Sequence, residues 1–233
     1  MNNRNLEGSG SCNPLPNLTS IRQVKALLAE HGLRPRKSLG QNFLIDRNVL
    51  DRIVSASGAG EGSQVLEIGP GLGTVTQRLV ETGAEVVCVE YDRAMVEILK
   101  HTAPGAEVVA DDILKVDLPA LFSKKPEKEW IVIGNLPYYI TSPIIARLID
   151  TKQYIESALI MIQKEVAERL KAAPGTDAYG SLSIFVQYHC EIEQVMKVSR
   201  NCFYPAPEVD SEFVRLVMRK QPAVDVRDES LYF

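Results

Sequence analysis

Two short segments of this 233-residue chain carry residue types at spacings that chemistry needs. Asn135-Leu136-Pro137-Tyr138 sets a side-chain amide, a backbone carbonyl and an aromatic ring within four residues. The exocyclic N6 amine of an adenine is a poor nucleophile because its lone pair is delocalised into the ring. Two acceptors on its hydrogens favour the pyramidal geometry in which that pair points at an electrophile. The Asn135 side-chain oxygen and the Leu136 carbonyl suit that role, and Pro137 biases Leu136 toward an extended backbone. Tyr138 offers a face on which a flipped base stacks. The plain alternative is a turn that ends a strand.

The second segment, Glu67-Ile68-Gly69-Pro70-Gly71-Leu72-Gly73, follows a short apolar run and opens a helical pattern. There the backbone passes close to a ligand without Cβ atoms in the way. The spacing is G-x-G-x-G. The dinucleotide fingerprint needs its third glycine one position later, where this chain has Thr74, so a pyrophosphate site and a nicotinamide-dependent oxidoreductase are disfavoured. Glu90, at the end of the next apolar run, lies where an acid accepts both hydroxyls of an adenosine ribose, a need shared by NAD and S-adenosylmethionine. Asp112, just past the third run, is placed for the adenine amine, with Asp111 able to exchange roles with it. Taken singly, these features are a tight turn and exposed carboxylates; together they describe a cofactor crevice.

Composition excludes several other chemistries. The chain is 45% apolar and 24% charged, a globular balance with ample residues for a core. Cys12, Cys88, Cys190 and Cys202 form no C-x-x-C pair, and His31, His101 and His189 no ligand cluster, so no metal is expected. The longest aliphatic stretches fall far short of a membrane span, and the polar opening to Pro16 is not a secretory signal, which points to the cytoplasm. Net charge is −4, yet residues 20–52 hold seven basic against three acidic residues. Arg34, Arg36 and Lys37 therefore form a local patch able to dock a phosphate backbone, although a solvated face has the same composition.

These residues need elements to position them. Ile21 to His31 carries the 3, 4 spacing of an amphipathic helix with Ser20 or Thr19 as its cap, and Val49, Leu50, Ile53 and Val54 mark a second. Strands are expected at Gln64–Ile68, Glu85–Glu90, Ala106–Ala110, Ile131–Gly134 and Ala158–Gln163. Helices are expected at Thr74–Thr82, Asp92–His101, Pro143–Asp150, Lys164–Lys171 and Leu182–Tyr188. Such alternation predicts an α/β fold, a mostly parallel sheet with helices on both faces. Glu191–Val198 and Glu212–Arg219, joined by the Pro-rich loop Cys202–Asp210, have no room for a crossover helix and should pair antiparallel. A seven-stranded sheet ending in an antiparallel hairpin is the Rossmann-like class I methyltransferase arrangement. Residues 1–19 read as a disordered tail and 20–219 as the methyltransferase domain. No heptad run predicts an oligomer, so a monomer is expected.

The motifs Leu39-Gly40-Gln41-Asn42-Phe43-Leu44, Glu67 to Gly73, Val89-Glu90-Tyr91-Asp92, Asn135 to Tyr138, Gln163-Lys164-Glu165-Val166 and Phe203 to Ser211 occur in the order of the rRNA adenine-N6 dimethyltransferases. From about Arg34 to Arg219 the chain resembles that family, and most closely its bacterial small-subunit (16S) members. The resemblance implies transfer of methyl groups from S-adenosylmethionine to two adjacent adenosines of 16S rRNA in the pre-30S particle, as part of ribosome biogenesis.

By that resemblance, Asn42 and Leu44 close over the cofactor, Gly69 and Gly71 line it, Glu90 holds its ribose and Asp112 its adenine. Asn135 is shared between cofactor and target base. Phe203 becomes the second wall of an aromatic sandwich with Tyr138; read alone, it is a core anchor. The family continues into a small helical domain, so 220–233 reads as the start of a linker to a domain this chain lacks. The 23S rRNA methyltransferases of the resistance type and the mitochondrial transcription-factor relatives share these motifs. A non-catalytic ribosome-assembly factor docking through Arg34 to Lys37 is the alternative outside enzymes.

Overall fold

In the computed structural model, which describes residues 14–229, the short apolar runs become strands and the 3, 4 repeats become helices. The chain opens with α1 (Ile21–Glu30), β1 (Phe43–Leu44) and α2 (Arg47–Ser57). It then alternates β2 (Gln64–Ile68), α3 (Thr74–Glu81), β3 (Glu85–Val89), α4 (Arg93–Thr102) and β4 (Glu107–Val109). Next come α5 (Leu118–Phe122), β5 (Trp130–Asn135), α6 (Thr141–Asp150), β6 (Ile155–Gln163), α7 (Lys164–Lys171) and α8 (Ser181–His189). The last strands are β7 (Cys190–Val198), β8 (Phe203–Tyr204) and β9 (Ser211–Met218).

Seven strands form one sheet in the order β4-β3-β2-β5-β6-β9-β7. The first five are parallel, and β9 runs antiparallel to both β6 and β7. Alternation along the strands sorts their side chains into two cores. Leu66, Ile68, Val132 and Ile160 face one side and meet helices α5 to α8 through Phe122, Ile144, Leu170 and Val186. Val65, Cys88, Ile133 and Met161 face the other and meet α2 and α3 through Ile53 and Leu79. A sheet covered on both faces explains why its central strands read as continuous apolar runs rather than alternating ones. The expected class I methyltransferase architecture is therefore present.

Three differences from the sequence reading have physical causes. Within the expected tail through Thr19, Leu18 is 2% exposed and packs with Val24 and Leu28 of α1, while residues 1–13, including Cys12, lie outside the described part. Ser20 occupies the α1 N-cap without a side-chain bond, and Thr19 spends its hydroxyl on Asn17. β1 and β8 pair antiparallel as a separate two-stranded sheet, Phe43 opposite Tyr204 and Leu44 opposite Phe203, in elements too short to show a period.

Candidate active site

The carboxyl ends of β2, β3 and β5, with the loop after β4, surround a cavity of about 350 Å³, the position at which open α/β sheets bind ligands. The turn after β2 forms one wall. Gly69, Gly71 and Gly73 all have positive φ (66°, 57° and 90°), a region closed to residues with a Cβ at acceptable cost. A Cβ on Gly71 would come within 3.2 Å of the Phe43 ring, so the missing side chain is also what lets β1 lie over the turn. At Gly69 the nearest atom to such a Cβ is the Asn135 carbonyl oxygen, 4.0 Å away, which leaves the backbone bare toward the cavity.

Glu90 directly follows β3 on the cavity wall, 7% exposed. Its Oε1 accepts from the Asp92 amide (2.8 Å) and its Oε2 from the Gly71 amide (3.1 Å). Burial pushes this carboxyl above the ordinary carboxylate range, and the two amides pull it back. Each oxygen keeps lone-pair capacity, so two vicinal hydroxyls find two fixed acceptors. Beneath the glycine turn sits a second acid, Glu67, 4% exposed, which accepts from the Thr76 hydroxyl at 2.7 Å. Its pKa is raised to about 7, chiefly by burial.

In the loop after β4, Asp112 is half-buried with Oδ1 accepting from the Leu114 amide (2.9 Å), whereas Asp111 is exposed and spends an oxygen on the Asp112 amide (2.7 Å). Both line the cavity, and Asp112 is the more buried of the two.

Asn135 is the last residue of β5, and its Nδ2 donates to the Asn42 carbonyl at 3.2 Å. That bond leaves the amide oxygen as the atom able to accept. The Leu136 side chain is buried and its amide donates to the Met161 carbonyl (3.1 Å), which anchors the segment to β6. Pro137 lines the cavity and faces Gly40, whose hypothetical Cβ would lie 3.5 Å from the proline ring. The loop bearing Gly40, Asn42 and Leu44 thus closes across the cavity.

The structure does not bring all the expected residues together. Tyr138 is half-buried, its hydroxyl 3.4 Å from Ser211 Oγ, and is not among the side chains lining the cavity; Tyr139, unremarked in the sequence, lines its mouth at 63% exposure. Phe203 is 4% exposed in the core with Leu44, Val198 and Phe213, and it is not among the residues lining the cavity. Arg34 and Lys37 are exposed beside the closing loop, while Arg36 already reaches Asp92 at 3.5 Å. Among the described residues no cluster of His, Cys, Asp and Glu is able to hold a metal, and no helix is long and apolar enough to cross a membrane.

A family model for ribosomal RNA adenine dimethylase matches residues 32–233. The chain belongs to that family. It is 43% identical over 220 residues to the ribosomal RNA small subunit methyltransferase A of Alkaliphilus oremlandii, covering 93% of this chain and 77% of that protein. The protein of the same name from Bacillus mycoides is 43% identical over 224 residues, 94% of this chain and 77% of its own length. Among solved structures, a dimethyladenosine transferase from Plasmodium falciparum superposes with a TM-score of 0.67 at 32% identity, over 76% of this chain and 63% of that one. The 23S rRNA methyltransferase ErmE gives the same TM-score at 31% identity, over 79% and 73%.

The adenine dimethylases use S-adenosylmethionine, and the cavity fits it. The bare glycine turn leaves room for a chain to pass, and the Glu90 carboxylate is fixed by two amides with capacity for a diol. Asn42, Leu44, Gly69, Gly71, Asp112 and Asn135 all border the same space.

Proposed function

We propose that this dimethylase modifies N6 of two adjacent adenosines in small-subunit rRNA, giving dimethyladenosine within the pre-30S particle, as a monomer in the cytoplasm. The observation that carries the reading is the placement of Asn135, at the end of β5 with its Nδ2 committed to Asn42 and its oxygen free to accept, on the wall of the cofactor cavity. S-adenosylmethionine, when bound, supplies a methyl group already activated on a sulfonium. Glu90 would hold its ribose hydroxyls, Asp112 its adenine, and the turn from Gly69 to Gly71 its methionine end.

The protein's own residues then do the positioning. Asn135 Oδ1 and the Leu136 carbonyl each hold one proton of the N6 amine, which turns the lone pair out of the ring. Tyr138 stacks on the flipped base. Holding the amine in this one orientation is what the protein's own residues would contribute, and orientation of this kind is worth up to roughly 7 to 11 kcal/mol. Arg34, Arg36 and Lys37 engage the RNA backbone beside the closing loop, a contact that should weaken with salt.

Similarity to ErmE supports a second reading, methylation of 23S rRNA, while the higher identity to the small-subunit enzymes favours the first. The experiment is to incubate the protein with S-adenosylmethionine and unmethylated small or large ribosomal subunits, digest the rRNA and look for dimethyladenosine by mass spectrometry. Product from small subunits supports the proposal. Product from large subunits alone selects the second reading, and binding to particles without product selects the assembly factor.

A further inference from the structure

Arg147 lies outside every motif that carries the family resemblance, yet it holds a wall of the cavity. It sits on α6, one turn beyond Ile144, whose fully buried side chain lines the cavity, so the two share a helix face. From there its guanidinium reaches the loop after β4: NH1 donates to the Leu114 carbonyl and NH2 to the Val116 carbonyl. The loop between these points and Asp112 is a tight turn. The Asp112 carbonyl accepts from the amides of Lys115 (2.7 Å) and Val116 (3.1 Å), and its carboxylate accepts from the Leu114 amide (2.9 Å). Asp112, Ile113 and Leu114 all face the cavity.

We infer that Arg147 is a positioning residue for the adenine end of the cofactor, acting through this loop rather than by touching the ligand. The inference rests on the reading of the cavity as the S-adenosylmethionine site with Asp112 at its adenine end. A planar guanidinium spans two carbonyls at once, which fixes the loop's distance and its rotation against α6. A lysine ammonium at the same place satisfies one carbonyl and leaves the rotation open. Because α6 begins right after the Tyr138 to Ile140 turn, the same helix ties the adenine loop to the segment that orients the target base.

The test is calorimetric binding of S-adenosylhomocysteine and of 5′-methylthioadenosine, which keeps the adenosine but lacks the amino-acid end. Both are titrated into the wild-type protein, Arg147→Lys, Arg147→Gln and the control Arg219→Ala, which removes an ion pair with Glu191 on the edge strand β7. Loss of two charge-assisted bonds predicts that Arg147→Gln weakens both ligands by the same factor, about tenfold or more. Arg147→Lys should fall between, Arg219→Ala should match wild type, and the methylation KM for S-adenosylmethionine should rise with kcat nearly unchanged. Unaltered affinity in Arg147→Gln overturns the inference, as does a loss confined to S-adenosylhomocysteine, and if that variant fails to fold, Arg147→Lys decides on the same criteria. Failure of the wild type to bind either ligand overturns the cofactor reading itself.

Discussion

Gln41 donates through Nε2 to Asp92 Oδ2 at 2.8 Å, a bond between residues 51 positions apart that fastens the loop over the cavity to the start of α4. Asp92 is 6% exposed; it caps α4 through the Ala94 amide and also meets Arg36. Its own amide donates to Glu90. The closing loop and Glu90, proposed to hold the ribose, are therefore two hydrogen bonds apart. Gln41 Oε1 also accepts from the Arg36 amide at 2.9 Å, so Gln41→Ala should weaken S-adenosylhomocysteine binding several-fold while costing about 2 kcal/mol in urea denaturation, the worth of two hydrogen bonds. Calorimetry showing wild-type affinity would mean that the loop closes without this tie.

Asn135→Ala removes the tie to the Asn42 carbonyl and, on the proposed reading, an acceptor for the target amine. Turnover should fall roughly 100-fold or more, while S-adenosylhomocysteine affinity changes by less than about tenfold, since the amine is oriented chiefly in the transition state. Single-turnover kinetics on small subunits separates the two. A variant with wild-type turnover would remove Asn135 from the mechanism. An N6-monomethyl species should also precede the dimethyl product in a time course.

Glu67 predicts a pH dependence with an unusual sign. Its carboxyl is raised from 4.5 to about 7 by burial, so folding favours the protonated form. Its stabilising contribution is fully present below about 4.5 and is lost as pH rises through about 7. Glu67→Gln keeps an acceptor for Thr76 without the charge. The variant should therefore gain stability relative to wild type between those two pH values, by up to about 3 kcal/mol. Denaturant midpoints across that range measure it, and a difference independent of pH would show that Glu67 is ionised throughout.

Phe203, buried opposite Leu44, should behave as an anchor of the closing loop. Phe203→Ala is expected to cost about 3 to 5 kcal/mol, as for other buried aromatics, and Phe203→Leu much less. With its stability retained, Phe203→Leu should keep turnover within a few-fold of wild type. A hundredfold drop in that variant would instead put the ring against the target base in the RNA complex.

Most of the sheet was legible because its strands are buried on both faces and appear as uninterrupted apolar runs, Val65-Leu66 and Ile131-Val132-Ile133 among them. That the glycine turn, Glu90 and Asn135 border one cavity was legible because each stands at the end of an apolar run that becomes a parallel strand. What escaped is what long-range geometry decides. β1 and β8 have two residues each, too few for any periodicity, and α5 is five residues long with a proline in its first turn. Gln41 and Arg147 act on partners 51 and 33 positions away, and no local pattern marks such pairings. Phe203, a core anchor when read alone and an aromatic wall by its motif, is buried opposite Leu44.

The order β6-β9-β7 puts the strand made latest of these three between the two earlier ones. Until Ser211–Met218 has emerged, β6 and β7 each present an unpaired edge, and Val214 and Leu216 are missing from the larger core. A nascent chain that stops short of β9 lacks not a dispensable border but the interior of its sheet, and its open strands invite pairing with other chains. Folding of this half of the molecule must therefore wait for β9, so an enzyme proposed to finish ribosomes completes this sheet only after that strand has left one.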